Sequence, residues 1–467
     1  MKKIRDFFVH LIFGNKNIQV FKHVKRAFRE HIYSPNIKID TISIFFFLGK
    51  WLPFSIAVGI TMGIIASIMD LAVVNINKFL SKDIIYLFVF PLFVAIIIGQ
   101  VLKKSPEAGG PGIGYSILHL KTRKYISIKT LLYKLIISIF TLSGGFIAGR
   151  EGPSFFLGVG ISEWMGKAYG FGKKFKNMLG LIGGGAFTGA LLKAPLGSSI
   201  FAMELENTYD FDYRPFVPMI MASIASYLTF SFFRGNHAFI QLTSKAVWTL
   251  DSIPYIIAMG FAVSIVMYLY TIIFHFIEKI GKIITYGRRP FVGTLIAVPM
   301  MVGLYYLTNS VDVLSAPVNM QILSNLSQMN FPISVDLSII IFTILITSFT
   351  LGLGIPGGLI LPVLIIGAAL GNIFGHIFPN QLVMFTLAGM GAALSAAAKT
   401  PLAAIVMITE MSHDDVVIPM TAAVITSYLT SFGYSLYLGQ ENIFKGSLKD
   451  FKSYRTDSIS KKDNNQR

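Results

Sequence analysis

The sequence Gly149-Arg-Glu-Gly-Pro153 lies inside an apolar region that continues on both sides of it. Glycine allows a ligand to approach the backbone closely, and proline suits the first turn of a helix. Irregular backbone at membrane depth is tolerated only where protein or a water-filled cavity covers it. The stretch therefore predicts a broken helix whose N-terminus faces a ligand within a membrane protein.

Glu151 is the residue of this stretch that points most directly to function. A carboxylate in the membrane interior is costly, and its presence there indicates a functional site. We expect the carboxylate to occupy an anion site as a tethered competitor and to leave that site on protonation. The alternative is a structural ion pair between Arg150 and Glu151.

The composition of the whole chain supports a membrane protein. Of its 467 residues, 54% are hydrophobic and 13% are charged, whereas about 25% are charged in soluble domains. This excludes a soluble globular protein and predicts an all-α polytopic membrane protein. Without cysteine the chain has no disulfide or thiolate site, and the scattered histidines predict no metal or cofactor. The spans show no cluster of histidine with acids, so we do not expect an enzyme.

The net charge of +17 is explained by basic loops rather than by nucleic-acid binding. The loops between apolar runs carry basic clusters, one of them from Lys121 to Lys134. The positive-inside rule places both termini in the cytoplasm of a cell whose inner or plasma membrane holds the protein.

Three regions follow from this pattern of apolar and charged residues. Residues 1–41 form a basic cytoplasmic arm, in which 16–35 suit an amphipathic surface helix or a solvated arm. Residues 42–438 form the transmembrane domain, with halves at about 42–233 and 252–438. Residues 439–467 form a short cytoplasmic tail, for which we expect no regulatory CBS domain.

The two halves share an internal repeat. Gly183–Glu204 resembles Gly389–Glu410, with lysine, proline and glutamate in register, and Gly149–Pro153 shares a G-x-x-x-P spacing with Gly358–Pro362. Chance similarity between two Ala/Gly-rich segments is the alternative. Related halves of inverted topology place a binding site at their interface near the bilayer midplane.

Three Gly/Pro-rich breaks stand out: Gly109–Gly114, Gly149–Pro153 and Gly354–Pro362. Each precedes an apolar run that begins a helix, and a helix N-terminus presents free N–H groups and about half a positive charge. A single break of this kind is more often a helix kink than part of an anion site. Three breaks together with a repeat predict a site that binds an anion without a full positive charge, which allows rapid release.

In this order, and with Ala388-Gly-Met-Gly-Ala-Ala393 leading to Pro401 and Glu410, these motifs resemble the CLC family of chloride channels and chloride/proton antiporters. The resemblance covers roughly residues 45–450. It implies a fold of two antiparallel, inverted-repeat halves with broken, tilted helices. It also implies a homodimer in the lipid bilayer, with one pathway per subunit for chloride or other small anions, and protons as a further substrate in antiporters.

The resemblance carries roles onto individual residues. Glu151 matches the gating glutamate of the family. The positions that match its anion-binding motifs are Gly110, Pro111, Gly112, Ile113, Arg150, Gly152, Leu359, Ile360, Leu361 and Phe444. Most members have serine at the position of Pro111. In having proline there, this chain resembles the plant members that favour nitrate. Phe444 stands where most members have a tyrosine, and the fluoride-exporting branch usually carries other residues in the first motif.

The proton path of the family is represented here by Leu205 and Glu204. Leu205 stands where antiporters carry an internal glutamate, and leucine cannot titrate. Glu204 and Glu410 are expected to cap or brace their repeat segments. We therefore expect passive anion conduction or weakly coupled exchange. The alternatives are a strict proton/anion antiporter, with Glu206 as a weak substitute, and a secondary transporter of an organic solute.

Overall fold

The structure, a computed structural model, describes residues 35–122, 124–206, 215–314, 318, 321–431, 433–437 and 440, with side chains from Gly49 onward. Over these residues it contains α-helices, short 3-10 turns and no strand, which confirms the all-α prediction. Most of the predicted amphipathic helix, and the tail from residue 441 with Phe444, lie outside the described residues. Of the described residues, those up to Phe54 belong to one compact unit and those from Ser55 to a second, which contains the site described below.

The helices of the described residues are numbered here in chain order. They are α1 Pro35–Leu80, α2 Ile84–Lys104, α3 Ile113–Leu120, α4 Ile128–Ser143, α5 Glu151–Ala168, α6 Lys176–Leu192, α7 Pro195–Glu206, α8 Phe216–Arg234, α9 Ile253–Gly281, α10 Arg289–Thr308, α11 Gln321–Gln328, α12 Ile333–Thr350, α13 Ile360–Gly375, α14 Leu382–Ala398, α15 Pro401–Ser412 and α16 Val417–Thr430.

Seven of the described helices are long and apolar enough to cross a bilayer. They include α2, α8, α9 and α10, whereas α13, α15 and α16 are apolar but shorter. Large apolar side chains face outward on these helices, among them Phe93 on α2 and Phe232 on α8, which are 62% and 84% exposed. Such a surface requires a lipid environment, and the chain is a multi-pass membrane protein.

The sequence repeat appears as the same local structure formed twice. The repeat segments Gly183–Glu204 and Gly389–Glu410 are each divided between two helices, because the backbone turns left-handed at Lys193 (φ 53°) and Lys399 (φ 58°). Each lysine caps the C-terminus of one helix, and a proline then begins the next, α7 or α15. A left-handed residue followed closely by proline stops a helix and starts another.

The two repeat glutamates join the halves to each other. The carboxylate of Glu204 accepts from the N–H groups of Leu402 (3.1 Å) and Ala403 (2.8 Å) at the start of α15. The Glu410 carboxylate likewise accepts from Leu196 and Gly197 at the start of α7, at 3.1 and 2.7 Å. A carboxylate there satisfies free amides and the positive end of the helix dipole. The sequence predicted a capping role within each glutamate's own repeat segment; in the structure each glutamate caps a helix of the other half.

Candidate functional site

Backbone hydrogen bonds bring the three breaks together. Gly149 and Gly358 form an antiparallel bridge, with N–H···O distances of 2.8 and 2.7 Å in the two directions. The N–H of Gly110 donates to the carbonyl of Gly354 at 3.1 Å. The second and third breaks are therefore paired, the first is tied to the third, and the N-termini of α3, α5 and α13 converge as the sequence predicted.

The Glu151 side chain lies at the centre of this arrangement and is completely buried. Its Oε1 accepts from the N–H of Ile360 at 2.6 Å and from the N–H of Leu361 at 3.3 Å. Its Oε2 has no hydrogen-bond partner among the described residues. The carboxylate, itself an anion, occupies the N-terminus of α13; that this place is an anion site remains a prediction.

Most of the other predicted residues lie at the starts of the same three helices, whereas Phe444 is outside the described residues. Leu359, Ile360 and Leu361 are buried at the start of α13. Gly152 lies in the first turn of α5, where a side chain would meet the carbonyl of Pro111. Residues 110–113 form the entry to α3, with Gly112 as its N-cap residue at φ 87° and Gly110 at φ 65°. Pro111 contributes no N–H to this group.

The side chain of Arg150 turns away from the converging helix ends. Its NH1 lies 2.5 Å from Oδ1 of Asp70, and its NH2 donates to the carbonyl of Val318 at 2.8 Å. The guanidinium thus forms its ion pair with Asp70, in contrast to the alternative pairing with Glu151. A fixed positive charge is turned away from the amides that hold the carboxylate.

Tyr437 is a residue that sequence reasoning missed. It is buried, with 4% exposure, and it lines a cavity together with Gly110, Pro111, Gly112 and Leu359. The segment that carries it is anchored by the N–H of Leu436, which donates to the carbonyl of Ala397. The sequence offers Tyr434 and Tyr437 just after α16, but only the fold shows that Tyr434 is exposed (54%).

A cavity of about 330 Å³ opens onto the first and third breaks, and Tyr437 lies in its wall. Lys282 and Arg289, on the loop between α9 and α10 and at the start of α10, line the same cavity. This is one of the basic loops that the positive-inside rule places in the cytoplasm. We call this space the inner cavity.

The sequence analysis was wrong about Lys134, which it placed in a basic loop. It lies within α4 and is completely buried. Its ammonium donates to the carbonyls of Gly110 (2.8 Å) and Gly109 (3.3 Å) and lies 5.4 Å from the ring centre of Phe156. The lysine therefore holds the first break in place from behind.

A buried ionic cluster is also absent from the sequence prediction, which found no histidine beside an acid in the spans. Glu163 on α5 is completely buried between His119 Nε2 (3.1 Å) and Lys176 Nζ (2.7 Å). The cluster joins α3, α5 and α6. Spacing along the chain could not reveal it, because the three residues come from three helices. Within the described part of the chain, no group of three or more His, Cys, Asp or Glu could hold a metal ion.

At the proton-path positions, Leu205 is buried and Glu204 caps α15. The carboxylate of the neighbouring Glu206 accepts a hydrogen bond from the side-chain amide of Asn177. Two of the acids near the internal end of α7 thus already have partners in the fold.

Taken together, these features define a polytopic membrane protein in which three helix N-termini converge and one of them holds a buried carboxylate. The family model described as "Voltage gated chloride channel" matches residues 94–431. The protein belongs to this CLC family of anion transport proteins.

Two relatives show the extent of the match. An uncharacterized protein of Methanocaldococcus jannaschii is 26% identical over 385 residues, which cover 81% of this chain and 92% of that protein. The H(+)/Cl(-) exchange transporter ClcA of Yersinia pestis is 25% identical over 336 residues, covering 68% of this chain and 69% of ClcA.

Solved structures show the same fold. A CLC-type fluoride/proton antiporter superposes with a TM-score of 0.73 at 20% identity, covering 84% of this chain and 98% of that chain. A slow cyanobacterial Cl-/H+ antiporter gives a TM-score of 0.69 at 20% identity, covering 82% and 94%. The predicted CLC-type fold is confirmed.

The close approach at the bridge makes Gly358 sensitive to an added methyl group. A Cβ there would lie 2.7 Å from the N of Gly152 and would overlap the Glu151 carboxylate. We expect Gly358→Ala to lower stability by about 1–3 kcal/mol, the usual cost of overpacking. In the control Gly303→Ala, the nearest atom to the new Cβ is 3.5 Å away. Thermal unfolding in detergent should show a fall for Gly358→Ala alone, and equal midpoints would contradict the prediction.

Proposed function

We propose that this protein moves small inorganic anions, chloride or nitrate, across a bilayer past the N-termini of α3, α5 and α13. The observation that carries the proposal is the Glu151 carboxylate held by the N–H groups of Ile360 and Leu361. A carboxylate oxygen and a hydrated halide compete for the same donors. A site that holds one negative group this way can hold a free anion when that group leaves.

Glu151 is the gate of this pathway. While ionised, it fills the amide site and blocks it. Protonation removes its charge and weakens its hydrogen bonds to the amides, since charge-assisted bonds are roughly twice as strong as neutral ones. The side chain can then leave, and an anion takes its place. Because backbone amides bind without a full charge, the anion is also released readily.

Tyr437 supplies the side-chain hydroxyl of the pathway in this proposal, a role that the sequence analysis associated with position 444. Its support is its burial and its place in the wall of the inner cavity, next to the first and third breaks. At the first break Pro111 offers neither a hydroxyl nor an N–H. The choice between anions then depends on backbone amides and one phenol, without the serine hydroxyl that most members of the family have at position 111.

Conduction is passive or weakly coupled to protons in the favoured mechanism. Leu205 cannot carry a proton, and the nearby carboxylates of Glu204 and Glu206 are engaged by α15 and Asn177. A strict proton/anion antiporter is the second candidate, because ClcA of Yersinia pestis and the two solved structures named above are exchangers. We also propose a homodimer in the inner or plasma membrane, with both termini in the cytoplasm.

Reconstitution into liposomes with an outward chloride gradient separates the two mechanisms. Chloride and external pH are recorded together, with potassium and valinomycin present to remove the voltage. Chloride efflux without uphill proton movement is the expected result. Coupled proton uptake would establish the antiporter, and the same assay with nitrate tests the second anion.

Neutralising the gate should open the pathway. In Glu151→Gln the side chain has the shape of the protonated acid and cannot ionise, so we expect faster anion flux that no longer varies between about pH 4 and pH 8. Liposome flux across this pH series is the measurement. Asp251→Asn, which neutralises an exposed acid, should keep the wild-type profile. A pH dependence that persists in Glu151→Gln would rule out the gating role.

Position 111 should influence the choice of anion. Pro111→Ser adds an N–H and a hydroxyl at the first break, and we expect the preference to shift from nitrate toward chloride. The ratio of chloride to nitrate flux is the measurement, and a change of roughly tenfold corresponds to one net hydrogen bond to an ion. An unchanged ratio would show that this position does not select.

Removal of the phenol should weaken anion binding. Tyr437→Phe keeps the buried ring and removes only its hydroxyl, so the fold should be unaffected while anion affinity falls by about tenfold, the value of one hydrogen bond to a charged group. Isothermal titration with chloride and nitrate measures this. Tyr434→Phe removes an exposed hydroxyl from the same segment and should bind normally. Equal affinities for the two variants would exclude Tyr437 from the site.

A further inference from the structure

A second space, separate from the inner cavity, has an unusual concentration of charge. It has a volume of about 140 Å³. Asp70, Arg150, Lys193, Arg234 and His237 supply its charged and titratable side chains. We call it the basic pocket. Nothing in the proposed mechanism so far uses it.

The ion pairs of the basic pocket leave positive charge in excess. Asp70 receives Arg150 on one carboxylate oxygen at 2.5 Å and Arg234 on the other at 2.6 Å. Lys193 donates to the carbonyls of His237 (2.7 Å) and Gly235 (3.2 Å). These acceptors carry no full charge. Two arginines and a lysine therefore face one carboxylate.

His237 does not change this balance at neutral pH. Desolvation and the neighbouring Lys193 ammonium lower the pKa of His237 below its ordinary value, so the imidazole is neutral there. The basic pocket keeps an excess of two positive charges. An anion entering it gains an attraction that the surrounding protein screens less than bulk water does.

Comparison of the two repeat halves shows which part of the pocket is specific to the first half. Lys399, the repeat partner of Lys193, is buried and donates to the carbonyl and hydroxyl of Ser431, at 3.1 and 2.5 Å. A buried lysine at this place thus belongs to the repeated fold. Arg234 is specific to the basic pocket, and its side chain is 26% exposed, so a ligand can reach it.

The basic pocket and the inner cavity lie toward opposite ends of α9. Arg234 and His237 precede the start of α9 at Ile253, whereas the inner-cavity residues Lys282 and Arg289 follow its end. The 29 residues of α9 span about 43 Å at 1.5 Å per residue, which exceeds the hydrocarbon thickness of about 30 Å. Arg150 joins the basic pocket to the gate, because it directly precedes Glu151.

We propose that the basic pocket is a binding site for a small inorganic anion at the outer entrance of the pathway, where the anion waits before it displaces Glu151. This inference rests on the proposed function. The pocket supplies the charge that the amide site lacks. It is also large enough, since a water molecule in the liquid occupies about 30 Å³. Clefts of one charge sign raise the local concentration of oppositely charged ions by about 10-fold or more.

The test varies chloride or nitrate on one side of the membrane only, in planar bilayers whose two baths are changed independently. Arg234→Gln should raise the half-saturating anion concentration from the pocket side by about three- to tenfold. The maximal flux and the value from the opposite side should stay unchanged. The control Lys245→Gln makes the same charge change at an exposed residue of the same connecting segment and should behave as wild type.

Two further variants separate binding from structural damage. Arg234→Lys keeps the charge and should restore the wild-type value. Asp70→Asn raises the excess of positive charge in the pocket and should lower the half-saturating anion concentration. If these substitutions instead damaged the fold, anion binding would be weaker in both Arg234→Lys and Asp70→Asn. Equal values for Arg234→Gln, Lys245→Gln and wild type would overturn the basic pocket as an anion site. Absence of anion flux in the unmodified protein would instead overturn the proposed function.

Discussion

The antiparallel bridge between Gly149 and Gly358 is the interaction on which the rest of the site depends. Two backbone hydrogen bonds hold the second and third breaks side by side. Because α5 and α13 each begin two residues after the bridging glycine of their break, the Glu151 carboxylate reaches the N–H of Ile360. Each buried amide left without a partner costs about 1–3 kcal/mol. The fold therefore creates a demand for an anion that either Glu151 or a transported ion meets.

The same inverted symmetry extends outward from the bridge. Glu204 and Glu410 each cap a helix of the opposite half, so neither half can satisfy its own helix ends alone. Both caps act on the helix that follows a left-handed lysine and a proline. This explains why lysine, proline and glutamate recur in register. The lysine ends one helix, the proline begins the next, and the glutamate caps a helix of the opposite half. The Glu204 carboxylate is therefore occupied as a helix cap, although the residue matches a position near the proton path of the family.

The backbone of the site could be predicted from sequence because glycine and proline encode it locally. The three breaks, their convergence and the position of Glu151 all follow from such residues and from the repeat. The side chains that pack against them could not be predicted, because their positions depend on tertiary contacts. The sequence suggests that Lys134 is a loop residue, but in the structure it is buried within α4 and donates to the carbonyl of Gly110. Tyr437 differs from Tyr434 only in which ring the turn after α16 directs inward.

The distribution of charge along the pathway has a physical logic. In the proposed pathway, the groups that would meet an ion at the centre are amides and a phenol, which bind weakly enough to release it. The full positive charges stand at the two ends: Arg234 and Lys193 in the basic pocket, and Lys282 and Arg289 at the inner cavity. Charges there attract ions from solution without holding them at the narrowest point. Lys134, the buried cation beside the first break, is bound to the carbonyls of that break, and so fixes the loop. Entry rate and selectivity are thereby governed by different residues, so that each can change without loss of the other.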